Sequence, residues 1–234
     1  MPDDSSSLFQ RPGARVIATI SSPAGLEQAR KLDIRSADCP DWLEVRVDLL
    51  LENTPELPGT LAELLLPVLL TVRHPSEGGK APSDPSTRAE IFRRRWSEVA
   101  AIDVELASVS ELRDLIDEAN DMQLACVFSF HDFQGTPSID KLQEMTQSAR
   151  DAGASLFKVA ATTNTVAELS TLLNWVESER TLPVAAMGMG RLGKISRPLL
   201  AQLGSRLNYG YLDAPVVSGQ WPAAELQRLI RSLP

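Results

Sequence analysis

DWLEVRVD, residues 41–48, alternates without interruption. In an extended chain Leu43, Val45 and Val47 fall on one side, and Glu44, Arg46 and Asp48 fall on the other. The same division recurs downstream, with Val72 against Thr71 and Arg73, Val104 against Asp103 and Glu105, and Val159 against Lys158. The apolar face can pack on helices. The polar face cannot simply meet water, because parallel sheets are normally covered on both sides. If the sheet closes on itself, the charges meet inside, near the C-terminal mouth where such barrels carry their active sites.

The rest of the chain supplies the remaining units. Strands are predicted at 15–21, 41–48, 67–73, 101–107, 124–130, 156–161, 183–189 and 207–213. Helices are predicted at 24–36, 57–65, 87–99, 109–120, 138–151, 164–177, 196–204 and 222–232. Ser110 with Glu111, Thr136-Pro137-Ser138 and Asn164 are start signals, and Gly153 and Gly204 stand where helices should stop. Eight strand–helix units in roughly 200 residues predict an α/β fold, a single-domain (β/α)8 TIM barrel over residues 15–234. Residues 1–14 are polar, acidic and carry Pro and Gly, so they read as a flexible N-terminal tail. They lack the basic start and apolar run of an export signal.

Composition sets outer limits. A hydrophobic content of 43% in 234 residues is enough for one sizeable core. A net charge of -8 argues against a nucleic-acid or anionic-membrane surface, while a small anion remains possible where basic side chains converge. No apolar run approaches the ~18 residues of a membrane span. Cys39 and Cys126 show no C-x-x-C spacing and read as free thiols. A soluble, cytoplasmic protein is expected.

Lys158, in FKVAATTN (157–164), stands inside an apolar strand, which usually excludes lysine. Inward beside Arg46, Arg73 and His131, it would be desolvated and near other cations, both of which favour a neutral, nucleophilic amine able to form a Schiff base. A purely structural pair with Glu105 or Asp103 is the alternative. His131, in SFHDF, can take and return a proton near neutral pH, or can cap and bond Asp132. Glu77 starts a Gly-Gly loop in TVRHPSEGGK that could fold a carboxylate over the site, orienting an imidazole and supporting its charged form. Arg197 lies near a helix start, where a guanidinium and backbone N–H groups together favour an anion. Neither His74 nor His131 lies in a metal-ligand motif, so no metal is expected. GMGRLG (188–193), with Asp213 downstream, formally matches a dinucleotide fingerprint, but too few residues follow to build that fold, and the glycines read as a tight loop at the barrel mouth.

Taken in order, EVRVD (44–48), TVRHPSEGG, DVEL, SFHDF, FKVA, MGMGRLGKISR and SGQ (218–220) resemble the motifs of the type I 3-dehydroquinate dehydratases of the shikimate pathway, over residues 15–232. The resemblance implies a hydro-lyase that converts 3-dehydroquinate to 3-dehydroshikimate by syn elimination of water. On it, Lys158 would form an imine with the C3 ketone, His131 would remove a C2 proton and protonate the departing C1 hydroxyl, and Glu77 would orient His131. Arg197 would hold the substrate carboxylate. Glu44, Arg46, Arg73 and Gln220 would grip hydroxyls and shape the field, with Thr19 and Met189 completing the substrate-binding set. No metal or organic cofactor is implied beyond the covalent Schiff base. The expected partners are the small-molecule substrate and a second copy of the chain in a homodimer. The chain departs from the family pattern at one point: a serine is usual four positions before the closing-loop glutamine, and Val216 stands there. That contact is lost unless Ser218 supplies it. A class I aldolase and a catalytically silent ligand-binding barrel are the competing readings.

Overall fold

The computed structural model describes residues 9, 13–51 and 61–233. The first half alternates β1 (Arg15–Ile20), α1 (Pro23–Ala29), β2 (Trp42–Arg46), α2 (Val47–Leu50), β3 (Val68–Thr71), α3 (Pro85–Arg93), β4 (Ala101–Glu105) and α4 (Arg113–Asp121). The second half continues with β5 (Ala125–Asp132), α5 (Ile139–Asp151), β6 (Leu156–Thr162), α6 (Val166–Ser178), β7 (Val184–Met189) and α7 (Gly193–Gln202). It ends with β8 (Leu207–Tyr211), a two-residue β9 (Trp221–Pro222) and α8 (Ala223–Ser232). The strands are parallel and run in the order β7-β6-β5-β4-β3-β2-β1-β8-β9. β7 and β8 lie in contact, and the Arg206 N–H donates to Val184 O (2.8 Å), so the sheet curls round to meet its other end. This is the predicted TIM-barrel architecture.

Alternation along the strands divides the buried residues into two cores. Val16, Ala18, Leu43, Val45, Leu70 and Val104 face the helices. Ile17, Trp42, Leu69, Ala101, Val127, Leu156 and Leu207 face the barrel axis. Phe9 is buried among the inner set, its ring centroid 5.4 Å from that of Trp42. The rest of the expected tail, apart from residues 13 and 14, lies outside the described residues.

Local chemistry explains where the helices begin and end. Ser138 caps α5 by accepting from the Lys141 N–H, and Gly153 (φ +92°) turns the chain out of it. α6 opens on a reciprocal capping box between Thr165 and Glu168, one residue beyond the expected Asn164. Ser110 caps nothing: a 3-10 turn at Leu106–Ser108 takes up the chain after β4, and α4 starts only at Arg113. α1 is shorter than expected: after Ala29 the ladder tightens, with the Lys31 and Leu32 N–H groups donating to Gln28 O (3.1 Å) and Ala29 O (3.3 Å), and Asp33 Oδ1 then accepts the Arg35 N–H (3.0 Å) in a separate turn. Most of the helix expected at 57–65 falls outside the described residues, and its described end forms a 3-10 turn at Leu61–Glu63. The second strand stops at Arg46, so Asp48 belongs to α2 and not to the strand's inner face.

Pro198 sits inside α7. Having no N–H, it leaves the Lys194 carbonyl one turn earlier without its helical donor. Trp221 Nε1–H donates to that oxygen (2.8 Å), and Lys194 Nζ lies 4.6 Å from the centroid of the same indole.

Candidate active site

Lys158 and His131 reach the barrel interior from adjacent strands. β5 and β6 pair with Ser129 opposite Lys158 and His131 opposite Ala160, so the imidazole stands two residues nearer the C-terminal mouth than the lysine. Lys158 is only 3% exposed. Its Nζ donates to Asp103 Oδ2 (3.1 Å), lies 3.6 Å from Glu44 Oε1 and sits 4.3 Å from the centroid of the Tyr209 ring. The expected inward placement therefore holds and Arg46, Arg73 and His131 line the same cavity, but the charges nearest to Nζ are carboxylates, Asp103 on β4 and Glu44 on β2. The structural pairing with Asp103 is present as well.

The carboxylates around Nζ are themselves held. Thr19 and Thr71 hydroxyls donate to Glu44 Oε2 (2.8 Å) and Oε1 (3.0 Å). Arg73 donates to Asp103 Oδ1 (2.8 Å), Glu105 Oε1 (2.9 Å) and Ser129 Oγ (2.6 Å). Burial alone would raise the Asp103 carboxyl, but Arg73, then Lys158 and Ser129, outweigh it and hold it at about 2. Arg46 grips Asp48 through two bonds of 2.8 Å. Asp48, expected on the inner face, thus serves as the anchor of Arg46.

Glu77 ends a 3-10 turn, Pro75–Glu77, capped by His74 Nδ1. The two following glycines are required. Gly78 takes a left-handed conformation (φ +78°), and a Cβ on Gly79 would lie 1.9 Å from the Arg73 carbonyl oxygen. The turn folds Glu77 inward, where its Oε2 accepts the His131 backbone N–H (3.0 Å) and meets His131 Nδ1 (2.8 Å). Burial, followed by Arg73, Lys158 and Arg46, keeps the His131 pKa well below its ordinary value. Burial pushes the Glu77 carboxyl up to about 8 against the opposing effect of Arg73, with Glu105 and Asp103 adding to the rise. Three nearby cations and exclusion of water thus favour the neutral ring in the free site, with the Glu77 carboxyl held against its Nδ1.

Arg197 differs from the other buried arginines. It is 1% exposed, and its Nε and one terminal nitrogen donate to the carbonyls of Gly219 (3.0 Å) and Tyr209 (2.7 Å). The other terminal nitrogen has no hydrogen-bond partner, and no carboxylate pairs with this guanidinium among the described residues. Burial lowers its pKa to about 10. A guanidinium left in this condition is suited to an incoming anion.

These groups share one cavity of about 150 Å³, lined by all ten residues singled out from the sequence: Thr19, Glu44, Arg46, Arg73, Glu77, His131, Lys158, Met189, Arg197 and Gln220. Val216 and Val217 also line it and Ser218 does not, so Ser218 does not take the place of the missing serine. Gln220 Oε1 accepts the Val216 N–H (2.7 Å) and Val217 N–H (3.3 Å), which ties the loop to itself. Sequence reasoning missed Phe133, Met187 and Tyr209 as lining residues. Strand alternation could have found two of them, since Tyr209 follows Leu207 and Met187 precedes Met189 on inner faces.

The sequence profile of the family described as type I 3-dehydroquinase matches residues 17–233. The chain belongs to that family. It is accordingly an enzyme of the 3-dehydroquinate dehydratase type, a hydro-lyase of the shikimate pathway. A 3-dehydroquinate dehydratase of Methanothrix thermoacetophila is 31% identical over 217 residues, covering 92% of this chain and 91% of the relative. Another, from Shouchella clausii, is 32% identical over 218 residues, with 86% and 84% covered. Among solved structures, a type I 3-dehydroquinate dehydratase of Clostridium difficile, described with covalently modified comenic acid, superposes with a TM-score of 0.80 at 25% identity, over 95% of this chain and 93% of that one. The Geobacillus kaustophilus enzyme superposes with a TM-score of 0.79 at 24% identity, over 95% and 91%. No helix among the described residues is long and apolar enough to cross a membrane.

Proposed function

We propose that the cavity dehydrates 3-dehydroquinate through a Schiff base on Lys158. The observation that carries this reading is the meeting, in one cavity, of the β6 lysine with His131 of the neighbouring β5 and its partner Glu77. Arg197 takes the substrate carboxylate with its unpartnered nitrogen, while Glu44, Arg46, Arg73 and Gln220 face the ring hydroxyls. Met189 and Thr19 complete the wall, and Val216 and Val217 offer apolar surface to the ring edge where a serine would donate.

Lys158 yields a proton, its lone pair adds to C3 of the ketone, and the carbinolamine loses water, so an ammonium and a ketone become a protonated imine and one water. The iminium acidifies the neighbouring C–H bond. Neutral His131 takes the C2 proton through Nε2 while Glu77 holds Nδ1–H, and the C–H electron pair moves into the C=N to give an enamine. That pair then expels the C1 hydroxyl, which leaves as water with the proton returned from the imidazolium. Hydrolysis of the product imine restores the amine. No metal or organic cofactor takes part in this reading, and among the described residues no cluster of acids, His and Cys is arranged to hold a metal.

Borohydride added with 3-dehydroquinate, followed by peptide mass mapping, tests the proposal. A reduced adduct on Lys158 is expected, together with loss of enone absorbance in Lys158→Ala. An adduct on another residue, or none, overturns it.

A further inference from the structure

Arg88 lies on α3, outside the barrel wall, and is not among the residues lining the cavity. It is nevertheless completely buried, on the helix face that otherwise presents Ala89 and Phe92 to the sheet. One terminal nitrogen pairs with Glu105 Oε2 and donates to Val72 O (3.0 Å), and the other donates to Ser108 Oγ (3.1 Å). Glu105 turns its second oxygen inward, where Oε1 accepts from Arg73 (2.9 Å) and from the His74 N–H (2.8 Å). An unbroken chain of charge thus runs from the helix layer to the reacting amine: Arg88, Glu105, Arg73, Asp103, Lys158.

A buried ion pair adds little to stability compared with apolar residues of the same size, so stability alone gives no reason for a guanidinium here. Charge does. Arg46 is already matched by Asp48, and Arg197 pairs with no carboxylate among the described residues. Of the other buried charges, the acids around the amine are Glu44, Asp103 and Glu105, the bases that meet them inside the barrel are Lys158 and Arg73, and Arg88 supplies the third cation. We propose that Arg88 is a positioning residue for the dehydration, neutralising Glu105 from outside so that Arg73 stays shared with Asp103 and the Glu77–His131 pair keeps its proton balance. The proposal rests on the assignment of Lys158, His131 and Glu77 made above.

The groups that bear on Glu77 are Arg73 on β3, Asp103 and Glu105 on β4, and His131 on β5. Arg73, Lys158 and Arg46 bear in turn on His131. Burial opposes ionisation of Glu105, and Arg73 and then Arg88 lead the contacts that overcome it. Without Arg88, Glu105 keeps an uncompensated charge, draws Arg73 more strongly, and both effects make Glu77 hold its proton to higher pH. Neutralising Glu105 instead does the reverse.

The test is the pH profile of kcat/KM for 3-dehydroquinate, with borohydride trapping, in wild type, Arg88→Met, Arg88→Lys and Glu105→Gln. The limb that follows Glu77, expected near 8, should move up by about one unit in Arg88→Met, stay in place in Arg88→Lys, and move down in Glu105→Gln. Opposite shifts cannot come from a loss of packing. If Arg88→Met does not fold, the downward shift in Glu105→Gln and the unmoved limb of Arg88→Lys carry the proposal. A limb that stays fixed in Glu105→Gln, or in folded Arg88→Met, overturns it while leaving the Schiff-base reading intact. Absence of a Lys158 adduct in wild type sinks that reading itself.

Discussion

Arg73 and Arg197 are both arginines buried at the mouth of one barrel, and they stand in opposite conditions. Arg73 is saturated by Asp103, Glu105 and Ser129, and the carboxylates, Asp103 and Glu105 first, hold its pKa up against the cost of burial. Arg197 has two backbone carbonyls, no carboxylate and one orphaned nitrogen, and burial lowers its pKa. A buried cation that the protein has already neutralised organises the site. One left without a counter-charge is available to a ligand, because a bound anion supplies what the fold withholds.

Exchange of each arginine for methionine should separate the two roles. Arg73→Met leaves Asp103 and Glu105 with uncompensated charge and should cost about 3–5 kcal/mol of stability, read as a lowered denaturation midpoint. Arg197→Met removes a cation that lacks a counter-ion. It should raise KM for 3-dehydroquinate by about 100-fold, equivalent to about 2.7 kcal/mol, with far less change in melting temperature than Arg73→Met. Equal stability losses in the two variants would erase the distinction.

Glu77 lies between these extremes, acidic but held largely uncharged. A carboxyl whose folded pKa is raised contributes stability at low pH that is lost as pH climbs from about 4.5 to about 8. Glu77→Gln should flatten that segment of the stability–pH curve and remove the corresponding rise in kcat/KM, with a drop in rate of about 10-fold or more at pH 8. The smallest effect is expected at Tyr209. Its hydroxyl is buried without a hydrogen-bond partner while its ring lies against Lys158 Nζ. Tyr209→Phe keeps the ring and should shift stability by less than about 1 kcal/mol, in either direction, as thermal unfolding would read.

The barrel was legible because its strands alternate: where Glu44, Thr71, Asp103 and Lys158 interrupt apolar runs at every second position, the inner face writes itself into the sequence. The ten cavity residues followed from that pattern together with the resemblance to a family. Which acid meets which base was not legible. Whether Lys158 finds Asp103 or Glu105 depends on the relative stagger of β4, β5 and β6, which only the folded register fixes. Arg88 was hidden for another reason. In PSTRAEIFRRR it looks like one more solvated arginine, and only the burial of Ala89 and Phe92 beside it shows that it faces the sheet. Ser110 misled because capping residues are common in loops, and the turn at Leu106–Ser108 left it no helix to start.

Pro198 has a consequence for the roof of the cavity. The carbonyl it frees on Lys194 fastens the indole of Trp221, the residue after Gln220. Weakness in the helix and attachment of the flap are therefore one property of a single oxygen. A substitution that mended the ladder by restoring an amide at 198 would set a new donor against the indole, so the stiffer helix would come with a looser roof.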